Sequence, residues 1–336
     1  MDFFWILIFL LSVALLVKSA DWFVESAEKI GLVFKISPFI IGVTIVAAGT
    51  SFPELASGIA AVLRGSPEIV VANAIGSNIA NILLIIGLSA VVSRRLIVKR
   101  SLIDLDAPLL ATSTALFAFI ILDKKIVIFE GILLLLAFIV YLLYTIFQRS
   151  EEDGEGSEVV EVLSLKTEKK EKAKIIKKKP KKTSLKIDAK TIFFLVLGIA
   201  GLIIGANYAI ESMVKISTDF GVPTSLVAII ALAIGTSLPE LVVSVRAASK
   251  KKYEIALGNV FGSNVFNLLL VVGIPGLIKP LVVDDLSFSI GFPFLVVATF
   301  LFILSGISRK IHIWEGAMYL LIYVLFTIKL IEFTFS

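Results

Sequence analysis

Two glutamates sit deep inside long apolar segments of this sequence, each at the end of the same short string. Glu54 closes Gly49-Thr50-Ser51-Phe52-Pro53-Glu54, and Glu240 closes Gly235-Thr236-Ser237-Leu238-Pro239-Glu240, 186 residues later. A carboxylate near a bilayer midplane costs at least ~2.5 kcal/mol on insertion scales, so it needs a partner and marks a function. Around the first, Ala47, Thr50, Ser51 and Glu54 recur at intervals of three and four, which puts them on one helix face. Pro53 withholds a hydrogen bond from the Gly49 carbonyl, so a kink with free main-chain oxygens near residues 47–50 is expected, and likewise at Ala233 to Ser237 beside Pro239. The next apolar segments add Asn73, Ser77 and Asn81 in one half, and Asn259, Ser263 and Asn267 in the other, at strict intervals of four. The set is carboxylates, hydroxyls, amide oxygens and carbonyls, without imidazole or thiol. Oxygen-only ligands select hard cations such as Na+, Ca2+ or Mg2+ over zinc or copper. Two carboxylates match one divalent ion in charge.

The elements that must hold these groups are membrane helices. The chain is 58% hydrophobic with mean hydropathy +1.00, well above a soluble domain. Segments of ~20 apolar residues cross the hydrocarbon core, and ten are readable: 3–24, 38–63, 69–92, 102–122, 126–147, 191–213, 223–247, 255–278, 287–306 and 311–331. The first follows Met1 and Asp2 with no basic leader, which reads as a retained helix. Ser, Thr and Asn stripes in membrane helices also serve simply to bond neighbouring helices. A glutamate duplicated together with proline and hydroxyls is hard to explain that way. Glu25, Glu211, Glu130, Glu315 and His312 fall near span ends and read as interfacial. Lys18 and Asp21 lie in or at the end of the first span and are expected to pair mutually or with lipid headgroups.

The chain divides into a first five-helix repeat (1–148), a charged linker (149–190) and a second five-helix repeat (191–336). The linker holds 13 Lys+Arg against 9 Asp+Glu, acidic first and lysine-rich later, and reads as a solvated segment able to touch anionic lipid. The remainder is nearly neutral, so no nucleic-acid surface is expected, nor an obligate protein partner. No cysteine is present, which excludes disulfides, thiolate metal sites and cysteine nucleophiles. The short connections on the linker side carry 12 Lys+Arg, from Lys29 to Lys310, against 6 opposite, from Arg64 to Lys329. By the positive-inside rule the linker is cytoplasmic, both termini lie outside, and the chain belongs in a plasma (inner) membrane as a multi-pass protein.

The offset of 186 holds from Glu25/Glu211 through the glutamate strings, Glu68/Glu254, Asn73/Asn259, Gly76-Ser77-Asn78/Gly262-Ser263-Asn264 and Asn81/Asn267 to Gly87/Gly273. After a one-residue slip, Lys125-Ile126 and Glu130-Gly131 meet Lys310-Ile311 and Glu315-Gly316. An odd number of spans per copy forces the second to enter from the opposite side. The expected fold is therefore an all-α membrane protein, ten transmembrane helices in two inverted-topology five-helix repeats. Glu54 and Glu240 then approach one central site, where they repel one another unless a cation or a proton sits between them.

The pair GTSFPE with NAIGSNIAN, and GTSLPE with GNVFGSNVFN, resembles the two alpha repeats of the cation/calcium antiporter superfamily, most closely the sodium/calcium exchangers. The resemblance covers both halves. It implies Ca2+ held by Glu54 and Glu240 with oxygens of Thr50 and Thr236. Sodium sites would use the Ala47 and Ala233 carbonyls, Ser51, Ser237, Ser77 and Ser263, with Asn81 and Asn267 at the centre. It implies an electrogenic secondary antiporter working by alternating access, not an enzyme, with Ca2+ and Na+ as transported ions, the bilayer as surroundings and no cofactor. Some relatives, potassium-dependent ones among them, carry aspartate where this chain has Asn267, so K+-independent transport is expected. Ala72 replaces the glycine found at Gly258, a change expected to be harmless. The large cytoplasmic calcium-sensing domains of animal exchangers have no counterpart. The alternative is an H+/Ca2+ exchanger on the same fold; proton-coupled relatives carry an extra glutamate where this chain has Gly76-Ser77-Asn78. A channel is the third reading, disfavoured because a two-repeat pocket suits alternating access.

Overall fold

Water is absent from the bilayer core, so every backbone polar group there must be satisfied within the chain, and long helices result. The computed structural model describes residues 3–34, 36–98, 106–145, 147, 187–219 and 235–335. The helices are α1 Phe3–Phe34, α2 Pro38–Leu63, α3 Glu68–Ser93, α4 Ala107–Asp123, α5 Ile128–Thr145, α6 Ala189–Asp219, α7 Leu238–Ser249, α8 Tyr253–Ile278, α9 Ser287–Ile307 and α10 Ile313–Phe335. Eight are long and apolar enough to span a membrane; α4 is shorter, and the expected span at 223–247 is described only from Gly235. Of the linker, only residues 187–190 are among those described.

α2, α3, α7 and α8 form the buried centre, where Ile79, Ile82, Leu83, Val243 and Val260 are fully enclosed. The outer helices turn apolar side chains such as Phe4, Leu7, Phe129, Phe300 and Trp314 outward, as a lipid-facing surface requires. α1 and α6 run antiparallel in close contact: Gly198 meets Phe23, Gly201 meets Ser19 and Gly205 meets Leu16. Small residues allow that approach.

α1 extends ten residues past the expected end at 24 because its last turns are held by charge. Asp21 accepts from Arg246 Nε and Nη2 (3.0 and 2.6 Å) and pairs with Lys250 (2.8 Å); Glu25 also takes Lys250 (3.0 Å), Glu28 takes Lys252, and Lys29 takes Asp188 (2.9 Å). Partial burial disfavours the charged Lys250 ammonium, but its bonds to Asp21 and Glu25 outweigh this and hold its pKa above the ordinary value. The expected pairing of Lys18 with Asp21 or headgroups is thus corrected for Asp21, whose partners lie across the bundle. Lys18 stands over the Trp22 ring, 5.5 Å from its centroid.

Two short antiparallel ladders complete the all-α core, and the sequence reading did not include them. β1 (Arg95–Ile97) pairs with β4 (Lys310–His312), and β2 (Lys125–Ile126) pairs with β3 (Leu281–Val282). Each joins one half to the other. Glu130 and Glu315, matched by the repeat, cap the helices that follow: each accepts from the backbone N–H three residues earlier, Val127 at 2.8 Å and His312 at 2.7 Å.

Candidate cation site

The site begins with two backbones brought unusually close. A β-carbon at Gly258 would lie 2.6 Å from the Phe39 carbonyl oxygen, and one at Gly262 would lie 2.4 Å from that of Val43. Glycine at these two positions lets α8 rest on α2. Alanine is accommodated at 72, whereas its repeat mate Gly258 has no room for a β-carbon. This contact sets Ser263 Oγ 2.9 Å from Ser51 Oγ, and Asn259 Oδ1 3.2 Å from Thr50 Oγ1. The reciprocal pair holds as well, Thr236 Oγ1 donating to Asn73 Oδ1 at 3.1 Å. Ser77 Oγ lies 3.3 Å from Thr236 Oγ1. Each half's threonine thus meets the other half's asparagine, as inverted repeats demand.

The two strings adopt different backbones. In the first, the α-helix Ala47–Leu63 runs through Pro53 without a break, and a π-turn at Gly42–Val46 ends where Ala47 begins. The helix is continuous through Pro53, where a kink was expected, and the widened turn before Ala47 supplies irregular backbone of its own, a device common at functional sites. In the second, Thr236 and Ser237 form a turn and the helix resumes at Leu238, with Pro239 in its first turn where a missing N–H costs little. Further π-turns lie at Ala80–Ile86 in α3 and Asn267–Val271 in α8, related by the repeat.

Glu54 and Glu240 are each 1% exposed. Ser51 Oγ donates to Glu240 Oε1 at 3.0 Å. Glu240 Oε2 and both oxygens of Glu54 have no hydrogen-bond partner. Neither has the Oδ1 of Asn81, of Asn264 or of Asn267, nor the Ser237 hydroxyl, all buried. Buried acceptors without donors are costly and rare. A cation coordinated by several of these oxygens would satisfy them at once. No cluster of three His, Cys, Asp or Glu exists among the described residues, so neutral oxygens must complete the shell. A cavity of about 180 Å³ lined by Pro53, Ser57, Asn207, Gly235, Thr236 and Pro239 borders the second string.

Of the residues singled out in the sequence, Ala47, Thr50, Ser51, Glu54, Ser77, Asn81, Ser237, Glu240, Ser263 and Asn267 are buried, and Thr236 is half-buried. Ala233 lies outside the described residues. Asn78 and Asn264 were missed as participants: Asn78 Nδ2 donates to the Asn264 carbonyl (3.0 Å) and its Oδ1 accepts from Asn267 Nδ2 (3.1 Å). Their recurrence at the 186-residue offset was the available signal. Ser244, which accepts from Asn259 Nδ2 at 2.8 Å, gave none, because the repeat has Gly58 in its place.

The family described as "Sodium/calcium exchanger protein" matches residues 4–147 and 190–331, nearly the whole chain. The chain belongs to the sodium/calcium exchanger family. It is a membrane transporter of the antiporter type, not an enzyme. The exchanger is 34% identical to "Sodium/calcium exchanger MaX1" of Methanosarcina acetivorans, covering 96% of this chain and 97% of that one. It is 32% identical to "Putative antiporter CaxA" of Alkalimonas amylolytica, with 94% and 95% covered. Among solved structures it is similar to the sodium-calcium exchanger NCX_Mj, soaked with Na+ and Sr2+, at a TM-score of 0.76 and 29% identity over 97% and 98% of the two chains.

Proposed function

We propose that this exchanger moves Na+ inward and Ca2+ outward through one central site exposed alternately to each side. The observation that carries this reading is the pair of buried carboxylates, Glu54 and Glu240, whose oxygens are left without donors at the meeting point of the two halves. Ca2+ would be held by these carboxylates with Thr50 and Thr236. Sodium would occupy flanking oxygens: the Ala47 and Ala233 carbonyls, Ser51, Ser237, Ser77, Ser263, Asn81 and Asn267. Cations in adjoining sites repel one another, so occupancy by one disfavours the other, and the carboxylate pair must stay compensated for either half to move.

Sodium coupling is favoured over proton coupling because the third helix places Gly76-Ser77-Asn78 beside the site and adds no further carboxylate there. Asn267, an amide, supports K+-independent exchange. Transport is electrogenic when more sodium charge than calcium charge crosses per cycle. The surplus of Lys and Arg on the linker side supports a cytoplasmic linker, outward termini and a plasma-membrane location. The proposed parts remain 1–148 and 191–336 as transmembrane repeats joined by 149–190.

Proteoliposomes test this directly. Sodium-loaded vesicles diluted into sodium-free buffer should take up Ca2+, at a rate that an imposed membrane potential changes and external K+ does not. Uptake driven by a pH gradient in the absence of sodium would overturn sodium coupling and support H+/Ca2+ exchange.

A further inference from the structure

We propose that Asn73 and Asn259 are positioning residues. Each accepts the hydroxyl proton of the opposite half's threonine, so that the threonine oxygen keeps its lone pairs for the transported cation. This rests on Thr50 and Thr236 being ligands. A hydroxyl has one proton and two lone pairs, and it presents oxygen to a metal only if the proton is directed elsewhere. Thr50 Oγ1 has Val46 O at 3.1 Å, Ala47 O at 3.3 Å and Asn259 Oδ1 at 3.2 Å as acceptors, and the Glu240 carboxylate is a further group its hydroxyl interacts with. When the Ala47 carbonyl is given to sodium it no longer takes the proton; the Val46 carbonyl on the same helix remains, and Asn259 is the side-chain acceptor supplied from the facing helix.

The Asn259 amide is oriented for that task, because its Nδ2 donates to Ser244 Oγ at 2.8 Å and turns Oδ1 toward Thr50. Asn73 faces Thr236 at 3.1 Å but has Gly58 where Ser244 would stand, and its Nδ2 is unpartnered. The asparagine facing the first half's threonine is therefore anchored at both ends of its amide, and the one facing the second half's threonine is anchored only through Oδ1 among the described residues.

The test is a crossed set of double-mutant cycles in the full-length exchanger, reading apparent KM and maximal rate of sodium-dependent Ca2+ uptake alongside detergent melting curves. Asn259→Leu should raise the KM for Ca2+ roughly 3- to 10-fold, as the loss of one hydrogen bond implies, with little change in maximal rate. In a Thr50→Val background it should add nothing. Asn73→Leu should behave the same way toward Thr236→Val. The uncrossed pairs, Thr50 with Asn73 and Thr236 with Asn259, should be additive. Asn259→Asp keeps an acceptor and should hold KM within about 2-fold of the parent or below it, which covers the case in which the Leu variant fails to fold. If Thr50→Val alone leaves KM unchanged, the ligand reading itself fails. If Thr50→Val raises KM but Asn259→Leu does not, or if crossed effects add, the positioning role is overturned while the ligand reading stands.

Discussion

Ser51 donates to Glu240 across the two halves at 3.0 Å, while the hydroxyl of its repeat mate Ser237 has no hydrogen-bond partner and the Glu54 carboxylate accepts from no donor. One carboxylate is therefore held by a cross-repeat hydroxyl and the other stands bare. An inverted repeat with two alternately open sides would exchange these roles between its halves. Removing the hydroxyl with Ser51→Ala should raise the apparent KM for Ca2+ a few-fold, on the scale of one hydrogen bond to a charged group. Glu240→Gln and Glu54→Gln should each remove Ca2+ uptake altogether. Uptake curves from purified, reconstituted protein check all three; an unchanged KM in Ser51→Ala would deny the contact a role in binding.

Gly262 offers a sharper structural test, since its place on α8 leaves 2.4 Å between a new β-carbon and the Val43 carbonyl. Gly262→Ala should push α8 off α2, costing about 1–3 kcal/mol as overpacking does. It should also part Ser263 from Ser51. The expected result is a melting temperature lower by several degrees and a much reduced rate. Ala72→Gly, by contrast, removes a methyl group on the matching helix and should leave transport close to the parent. A Gly262→Ala protein with parental melting and rate would mean that α2 and α8 do not touch there.

The pattern of what the sequence disclosed follows from what each feature is made of. Glu54, Thr50, Asn73 and their mates at one fixed offset are polar residues in apolar surroundings, so side-chain identity alone exposed the repeat and suggested the inversion and the donor set. The close approach at Gly258 was hidden because Gly and Ala differ by a methyl group, and only the facing carbonyl of Phe39 shows that the methyl group has no room. The π-turns at Gly42–Val46 and Asn267–Val271 shift hydrogen-bond partners without any compositional mark. Ladders of two or three residues are shorter than a readable alternation. Asp21 found its partner 225 residues away, beyond any local pattern.

That partner makes a prediction about stability. Asp21 is bonded by two guanidinium nitrogens of Arg246 in a partly buried setting, so Arg246→Met should destabilise the linker end by about 1 kcal/mol; Lys250 remains to limit the loss. Lys329→Met breaks an exposed pair with Glu332 and should leave the melting curve unchanged. Melting of both variants in detergent, repeated at high salt, separates the two cases. Equal effects would show that burial at Asp21 counts for nothing.

Asp188, just outside the membrane, gives a pH signature. The Thr191 hydroxyl and then the Lys29 ammonium hydrogen-bond its carboxylate and hold its pKa well below the ordinary value. A depressed folded pKa contributes stability above the unfolded value of roughly 3.9 and loses it as pH falls through the folded one. Asp188→Asn should thus melt below the parent by a constant margin from pH 7 to 5. The margin should shrink progressively below about pH 4. A margin that grows on acidification would reverse the sign of this contribution.

Cation binding itself should appear as stability. Glu54 and Glu240, each 1% exposed, repel one another if both are ionised, and a bound cation would both offset that repulsion and satisfy the orphaned oxygens. Any species bound by the folded form alone stabilises it in proportion to the logarithm of its concentration, about 2.7 kcal/mol at a hundredfold excess over Kd. Ca2+ titrated into chelator-treated protein should raise the melting temperature steadily, and Na+ should do the same at higher concentration. Together they should compete, so that excess Na+ shifts the Ca2+ titration to higher concentration without raising the plateau. Glu54→Gln should lose the Ca2+ response while the Arg246→Met protein, altered at the linker end only, should keep it. A Ca2+ shift that survives in Glu54→Gln and Glu240→Gln alike would place the ion elsewhere in the chain and remove the two carboxylates from the site.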